Sequence, residues 1–151
     1  MIHDEWTRNA LKQRPDLKAE DMERTRSLMS AHARDSLVTG FEHLIPSIEV
    51  PDADARHGVA TAIHGGASLI VTFNLKDFPS DQIKRYNLAA QHADDVIFDQ
   101  LDLHVARVCE AENHRRSLKN PPKTADEYLN TLLKQGLTQT VGLLREWKVA
   151  I

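Results

Sequence analysis

The chain has 151 residues, 41% hydrophobic and 27% charged, with a net charge of −3; that is one globular domain's worth of sequence and excludes a fibre or a disordered tail. No apolar run approaches the roughly 20 residues of a membrane span, and the N-terminus lacks a signal peptide's apolar core, so a cytoplasmic protein with no membrane partner is expected. A pI near 6.2 gives no global pull toward nucleic acid, and any RNA contact has to be a local patch.

In chain order, Ile2 to Gln13 reads as helix and stops at Arg14-Pro15. A second helical run from Pro15 through Ala33 spaces Leu17, Met22, Leu28 and Met29 for one apolar face. Ser36 to Gly40, SLVTG, is a short strand candidate, and the stretch after it reads as loop or broken helix. A third helix, from about Asp54 to Ile63, ends at Gly65-Gly66, which suits a C-cap. Ser68 to Phe73 is β-branched and apolar on both faces, the pattern of a strand covered by helices. Strand, helix, strand implies a parallel sheet with helices packed on it. A short helix from Ser80 to Tyr86 leads to a possible edge strand at Leu88 to Gln91, and from Asp94 onward the pattern is helical. Cys109 lies beside Val105, Ala106 and Val108 and reads as a buried small hydrophobe. Glu112 to Lys123 reads as a charged break. Thr124 with Glu127 three residues later makes a capping box, and Leu129, Leu132, Leu133, Leu137, Val141, Leu143 and Leu144 stripe two helices joined near Gly136. That stripe reads as the core of a helical hairpin rather than a partner groove.

Candidate chemistry gathers past the strongest strand. In open parallel sheets ligands bind outside the carboxyl ends of the strands, and Asn74 and Asp77 stand just beyond that end. They are either oxygen ligands for a hard divalent cation, or a turn residue and a helix cap. Arg115, Arg116, Lys119 and Lys123 form the densest basic cluster, and Arg8, Lys12 and Arg14 form a second near Glu5; each is a phosphate contact or a solvated face. His64-Gly65-Gly66 has no G-x-S-x-G elbow to accompany it and reads as a helix stop. His32, His43, His57, His64 and His92 make no zinc spacing.

Four segments carry a family resemblance. VPDADARHGVATAI, Val50 to Ile63, followed by GASLIVTFNLKDFP, Gly66 to Pro79, resembles the second half of the PIN domain, the fold of VapC-type toxin ribonucleases. IHDEW resembles that family's glutamate helix, and NPPKTADEYLNTLLKQGL resembles the helical C-terminal extension of one subgroup. The resemblance implies acidic residues gathered around Mg²⁺ or Mn²⁺, which activates a water to cut RNA. It carries Glu5 over as one acid and Asn74 and Asp77 as the closing pair. The position of a further acid, directly before Arg56-His57, is Ala55, and the family's first-strand acid has no counterpart segment here. Asp52 and Asp54 flank the altered position, but Asp54 points about 100° away if already helical. Clustered carboxylates are tolerated because a cation neutralises them, so losing two implies weak metal binding.

The expected fold is α/β: a three-layer α/β/α PIN-like domain over residues 1–111 with a short parallel sheet, helix-rich, plus a C-terminal helical extension over 112–151. The expected function is that of a PIN-type endoribonuclease of a type II toxin–antitoxin system, truncated or impaired in this chain, with Glu5, Asn74 and Asp77 catalytic. Glu5, Asp77, Asp52 and Asp54 are the expected metal ligands, and Arg8, Lys12, Arg115 and Arg116 the RNA contacts. A non-catalytic relative that binds RNA or an antitoxin protein is the alternative, and a plain helical interaction protein the third. A missing central strand would leave Leu37–Thr39 and Leu69–Phe73 with open edges, from which self-association is expected.

Overall fold

Glu20 and Asp21 in the first turn and a histidine in the last suit the segment Ala19–His32 to the helix dipole, and it forms helix α1. The structure is a computed structural model that describes residues 7, 8, 10–12, 16–32, 37–118 and 120–151. Of the first expected helix, residues 7, 8 and 10–12 are helical, and the rest lies outside the described residues. The apolar face expected of α1 is covered only near its start: Met22 is buried, whereas Leu28 and Met29 are about half exposed. The chain divides after Ala67 into two compact units.

In the first unit a 3₁₀ turn, Glu42–Ser47, packs on helix α2, Arg56–His64, around buried Phe41, Ile48, Val50, Val59 and Ala60. The strand expected at SLVTG does not form in its described part, residues 37–40. Its β-branched residues are used otherwise: a Cβ on Gly65 would lie only 2.9 Å from Val38 Cγ2, so Val38 is packed on that glycine. The Gly40 carbonyl is hydrogen-bonded to His43 Nδ1 at 2.8 Å, which turns the chain into the 3₁₀ segment instead of a ladder. The glycine stop of α2 does form. Gly66 takes φ +67, its N–H reaches the Ile63 carbonyl at 3.2 Å, and the Ala67 N–H reaches Ala62 at 2.9 Å, a Schellman ending.

The second unit holds the sheet. Strand β1, Leu69–Thr72, pairs in parallel with β2, Ala89–His92, placing Leu69 opposite Ala89 and Thr72 opposite His92. Parallel pairing needs a crossover of a dozen or more residues, supplied by the 3₁₀ turn Leu75–Asp77, the short helix α3, Ser80–Ile83, and a 3₁₀ turn to Tyr86. Ile83 and Leu88 anchor this crossover in the interior. β1 is not sealed on both faces as its composition suggested. Leu69 and Val71 stand 37% and 51% exposed, and Ile70 and Thr72 are half-buried, because the two-stranded sheet lays one face on helix α4, Ala93–Ser117. The fold is thus α/β and helix-rich, with a short parallel sheet.

The expected charged break is shorter than its composition, since α4 runs to Ser117. His114, Arg115 and Arg116 in its last turn favour the helix dipole, and Arg116 braces the turn on Asn113. α4 is interrupted at His104, φ −147 and ψ 53, where no neighbouring proline or glycine accounts for the kink. Helices α5, Ala125–Lys134, and α6, Thr138–Glu146, form the hairpin, burying Leu129, Leu132, Val141 and Leu144 with Leu101 and Cys109 of α4. The capping box at Thr124 is present: its N–H donates to Glu127 Oε2 at 2.9 Å, and the Glu127 N–H donates back to Oγ1 at 3.3 Å. Gly136, φ +87, closes α5 as a second Schellman ending.

Helix α6 has no cap from its own preceding residue. Asp94, in the first turn of α4, caps it from 45 residues away. Its Oδ2 accepts from the Gln139 N–H at 2.8 Å, its Oδ1 from the Thr140 N–H at 3.0 Å, and the Thr140 hydroxyl donates to the Asp94 carbonyl at 3.3 Å. Asp94 and Thr140 are 3% and 1% exposed. Burial alone pushes the Asp94 carboxyl up, but the Thr140 hydroxyl and the Thr140 and Gln139 amides together outweigh it and hold the pKa below the ordinary 3.8. A carboxyl lowered in the fold stabilises above its unfolded pKa and loses that contribution as pH falls through the folded value. Asp94→Ala is expected to cost about 1–3 kcal/mol, read as a lower melting temperature at neutral pH. Asp94→Asn should also melt below the parent at pH 7, and the gap should narrow once pH drops below about 4. A gap that stays constant down to pH 3 would show that the carboxylate's charge contributes nothing.

Candidate functional site

The carboxyl ends of β1 and β2 lie side by side, because Thr72 and His92 are register partners. The chain leaves β1 through a tight turn. The Asn74 N–H donates to Thr72 Oγ1 at 3.0 Å, the Asn74 side-chain amide donates to Asp77 Oδ2 at 2.7 Å, and the Asp77 N–H returns to the Asn74 carbonyl at 3.4 Å. Asp77 therefore does not cap the following helix, which starts after Pro79 with no side-chain cap. The structure brings Asn74 and Asp77 together as a hydrogen-bonded pair, with Asn74 exposed and Asp77 half-buried.

Beside this turn stand two rings that sequence reasoning passed over. Phe73 is 60% exposed, and its ring meets His92 edge to face, centroids 5.3 Å apart at 89°. His92 is the N-cap of α4: its Nδ1 accepts from the Asp94 N–H at 3.2 Å. That acceptor role places the ring proton of a neutral imidazole on Nε2. The available signal was a histidine one residue before Ala-Asp-Asp, an acidic first turn, although histidine is not among the favoured caps.

The other expected acids are placed differently. Glu5 and Arg14 lie outside the described residues, as does Lys119. Asp52 is an N-cap, its Oδ1 accepting from the Asp54 N–H at 2.9 Å, and Asp54 is exposed in the 3₁₀ turn Ala53–Ala55. Ala55 is 7% exposed. Among the described residues no three His, Cys, Asp or Glu side chains come together to hold a metal ion. Asp77 Oδ2 already accepts from the Asn74 amide, and position 55 offers a methyl group.

Of the expected RNA contacts, Arg8 and Lys12 are exposed on helical turns and Arg115 is exposed on α4. Arg116 is different. Its Nη1 donates to the Lys123 carbonyl at 2.7 Å and its Nη2 to Asn113 Oδ1 at 2.9 Å, tying the end of α4 to the loop that enters α5. Lys123 in turn donates to Thr131 Oγ1 at 2.6 Å. A second tie runs from the Tyr128 hydroxyl to Glu112, and burial, then the Glu112 carboxylate, push the Tyr128 phenol far up.

Residues 93–146 match the family model of the VapC50 C-terminal domain. A protein of Mycobacterium tuberculosis strain H37Rv named "Putative ribonuclease VapC50" is 42% identical over 82 residues, 52% of this chain and 48% of the relative. Over these stretches the chain is similar to a protein of the VapC type. It spans about half the length of that relative. No solved structure matches it. The VapC50 match begins at the first residue of α4 and ends at the last of α6, the two helices that Asp94 joins.

Because Arg116 holds two elements, Arg116→Ala is expected to lower stability by about 1–2 kcal/mol, whereas Arg115→Ala should stay within about 0.5 kcal/mol of the parent. Thermal melts of the two variants check this; equal melting temperatures would remove the structural role of Arg116.

Proposed function

We propose that this chain is a VapC-like RNA-acting protein of a type II toxin–antitoxin pair, with RNA as substrate or ligand and an antitoxin protein as partner. The observation that carries the reading is 42% identity to a protein whose name is that of a ribonuclease. The Asn74–Asp77 turn at the carboxyl rim of a parallel sheet supports it, since ligands of open α/β sheets bind there. Cleavage by this chain alone is weak or absent in this reading, because Ala55 supplies no carboxylate and Asp77 is engaged by Asn74. These same two observations favour a second reading, binding of RNA or an antitoxin without cutting. Mg²⁺ or Mn²⁺ with Glu5, Asp77 and Asp52 or Asp54 as ligands would then be held weakly. A cytoplasmic location and self-association complete the proposal. Among the described residues no helix is long and apolar enough to cross a membrane.

Labelled single-stranded RNA incubated with the chain and millimolar Mn²⁺ is expected to remain intact, and Ala55→Asp alone should not start cleavage. The added carboxylate enters a buried position, so Ala55→Asp should also melt lower by about 1–3 kcal/mol. Metal-dependent cutting by the unmodified chain that disappears in Asp77→Ala would establish an active centre and end the impaired reading. Metal at a few times its dissociation constant would add ~1 kcal/mol, so the melting temperature should move little on adding either ion.

A further inference from the structure

We propose that Phe73 is a stacking platform for one unpaired base of a single-stranded RNA, and that His92 is the positioning residue that holds it. The proposal rests on the reading of the chain as an RNA-acting VapC relative and names a contact for it. The phenyl ring is 60% exposed at the end of a strand, and it is oriented. The perpendicular His92 ring contacts it on one side at a centroid distance of 5.3 Å. A perpendicular contact covers at most one face of the phenyl, and His92 is itself fixed through Nδ1 by the Asp94 N–H.

The turn that ends α5 lies beside the ring: a Cβ on Gly136 would be in ordinary contact with Cδ1 and Cε1, 4.0 Å away, and the glycine adds no side chain there. Bases have π-faces whatever their identity, so an oriented exposed aromatic ring takes an unpaired base without sequence choice. The neighbours suit the rest of a nucleotide. The Asn74 amide holds Asp77 through one hydrogen, and an amide has a second hydrogen and an oxygen with which to meet a base edge. Lys76, in the turn between them, is exposed and brings the positive charge that a phosphate needs. The competing occupant is a second copy of the chain, since Leu69 and Val71 are exposed on β1 as well. An apolar protein contact would tolerate leucine at position 73; a stacked base would not.

Fluorescence anisotropy of the 151-residue chain with a labelled 12-nucleotide single-stranded RNA, in EDTA and low salt, tests this. Phe73→Leu is expected to weaken binding roughly 5- to 150-fold, the range for loss of one stacked base, while Phe73→Trp retains it. His92→Asn keeps a side-chain cap for α4 but removes the perpendicular ring, and should weaken binding with little change in melting temperature. A capping role alone would leave its RNA affinity unmoved. An abasic strand of the same length should bind parent and Phe73→Leu alike. Equal RNA affinity of Phe73→Leu and parent overturns the proposal, and so does a change in its mass by light scattering, which assigns the face to a second copy. If the parent has no affinity for RNA, the proposed function falls and this inference falls with it.

Discussion

A carboxylate taken out of water needs donors, and Asp94 has them in two backbone N–H groups of a helix that begins 44 residues later in the chain. Those amides would otherwise be orphaned at the start of α6, where Leu137 offers no side-chain cap. Each side therefore satisfies a cost the other creates, and the negative charge lies at the positive end of the α6 dipole. The result fixes the end of β2, the start of α4 and the start of α6 to one another, and buried Leu101, Leu129, Val141 and Leu144 close around that arrangement.

The rim of the sheet inherits its geometry from this point. His92 caps α4 one residue before its first turn, with its ring set by the Asp94 amide, and Phe73 leans on that ring. Gly136 lies between the hairpin helices, so the place where α5 turns into α6 comes up beside Phe73. Asp77 accepts from the Asn74 amide and Asp94 from backbone N–H groups, while Lys76 stays exposed.

The match to the VapC50 C-terminal domain is consistent with that mechanical picture, since its limits are those of α4 and α6. Within it, Arg116 ties the end of α4 to the loop before α5, and Tyr128 ties α5 to Glu112. At the β1 rim Asn74 and Lys76 are exposed.

Features decided by neighbours within a few residues were legible in the chain itself. The Thr124–Glu127 box, the glycine stops at Gly66 and Gly136, the hairpin stripe apart from Leu133, which is 40% exposed, and the burial of Cys109 follow from local hydrogen-bond geometry, left-handed φ and side-chain periodicity, and they stand where the sequence places them. β1 and β2 were also legible, as an apolar β-branched run and a short segment after the crossover. The pairing partner of each residue was not, nor was the half-exposure of β1, because a strand's composition does not say how many neighbours will cover it. Leu37–Gly40 failed as a strand for the same reason: Val38 found Gly65 and His43 found the Gly40 carbonyl before any ladder could use them. The roles of Asp94, His92 and Arg116 were set entirely by contact. A carboxylate, an imidazole or a guanidinium has the same composition whether it meets solvent or a backbone amide, and only the tertiary structure brings Gln139 and Thr140 to Asp94 and the Lys123 carbonyl to Arg116.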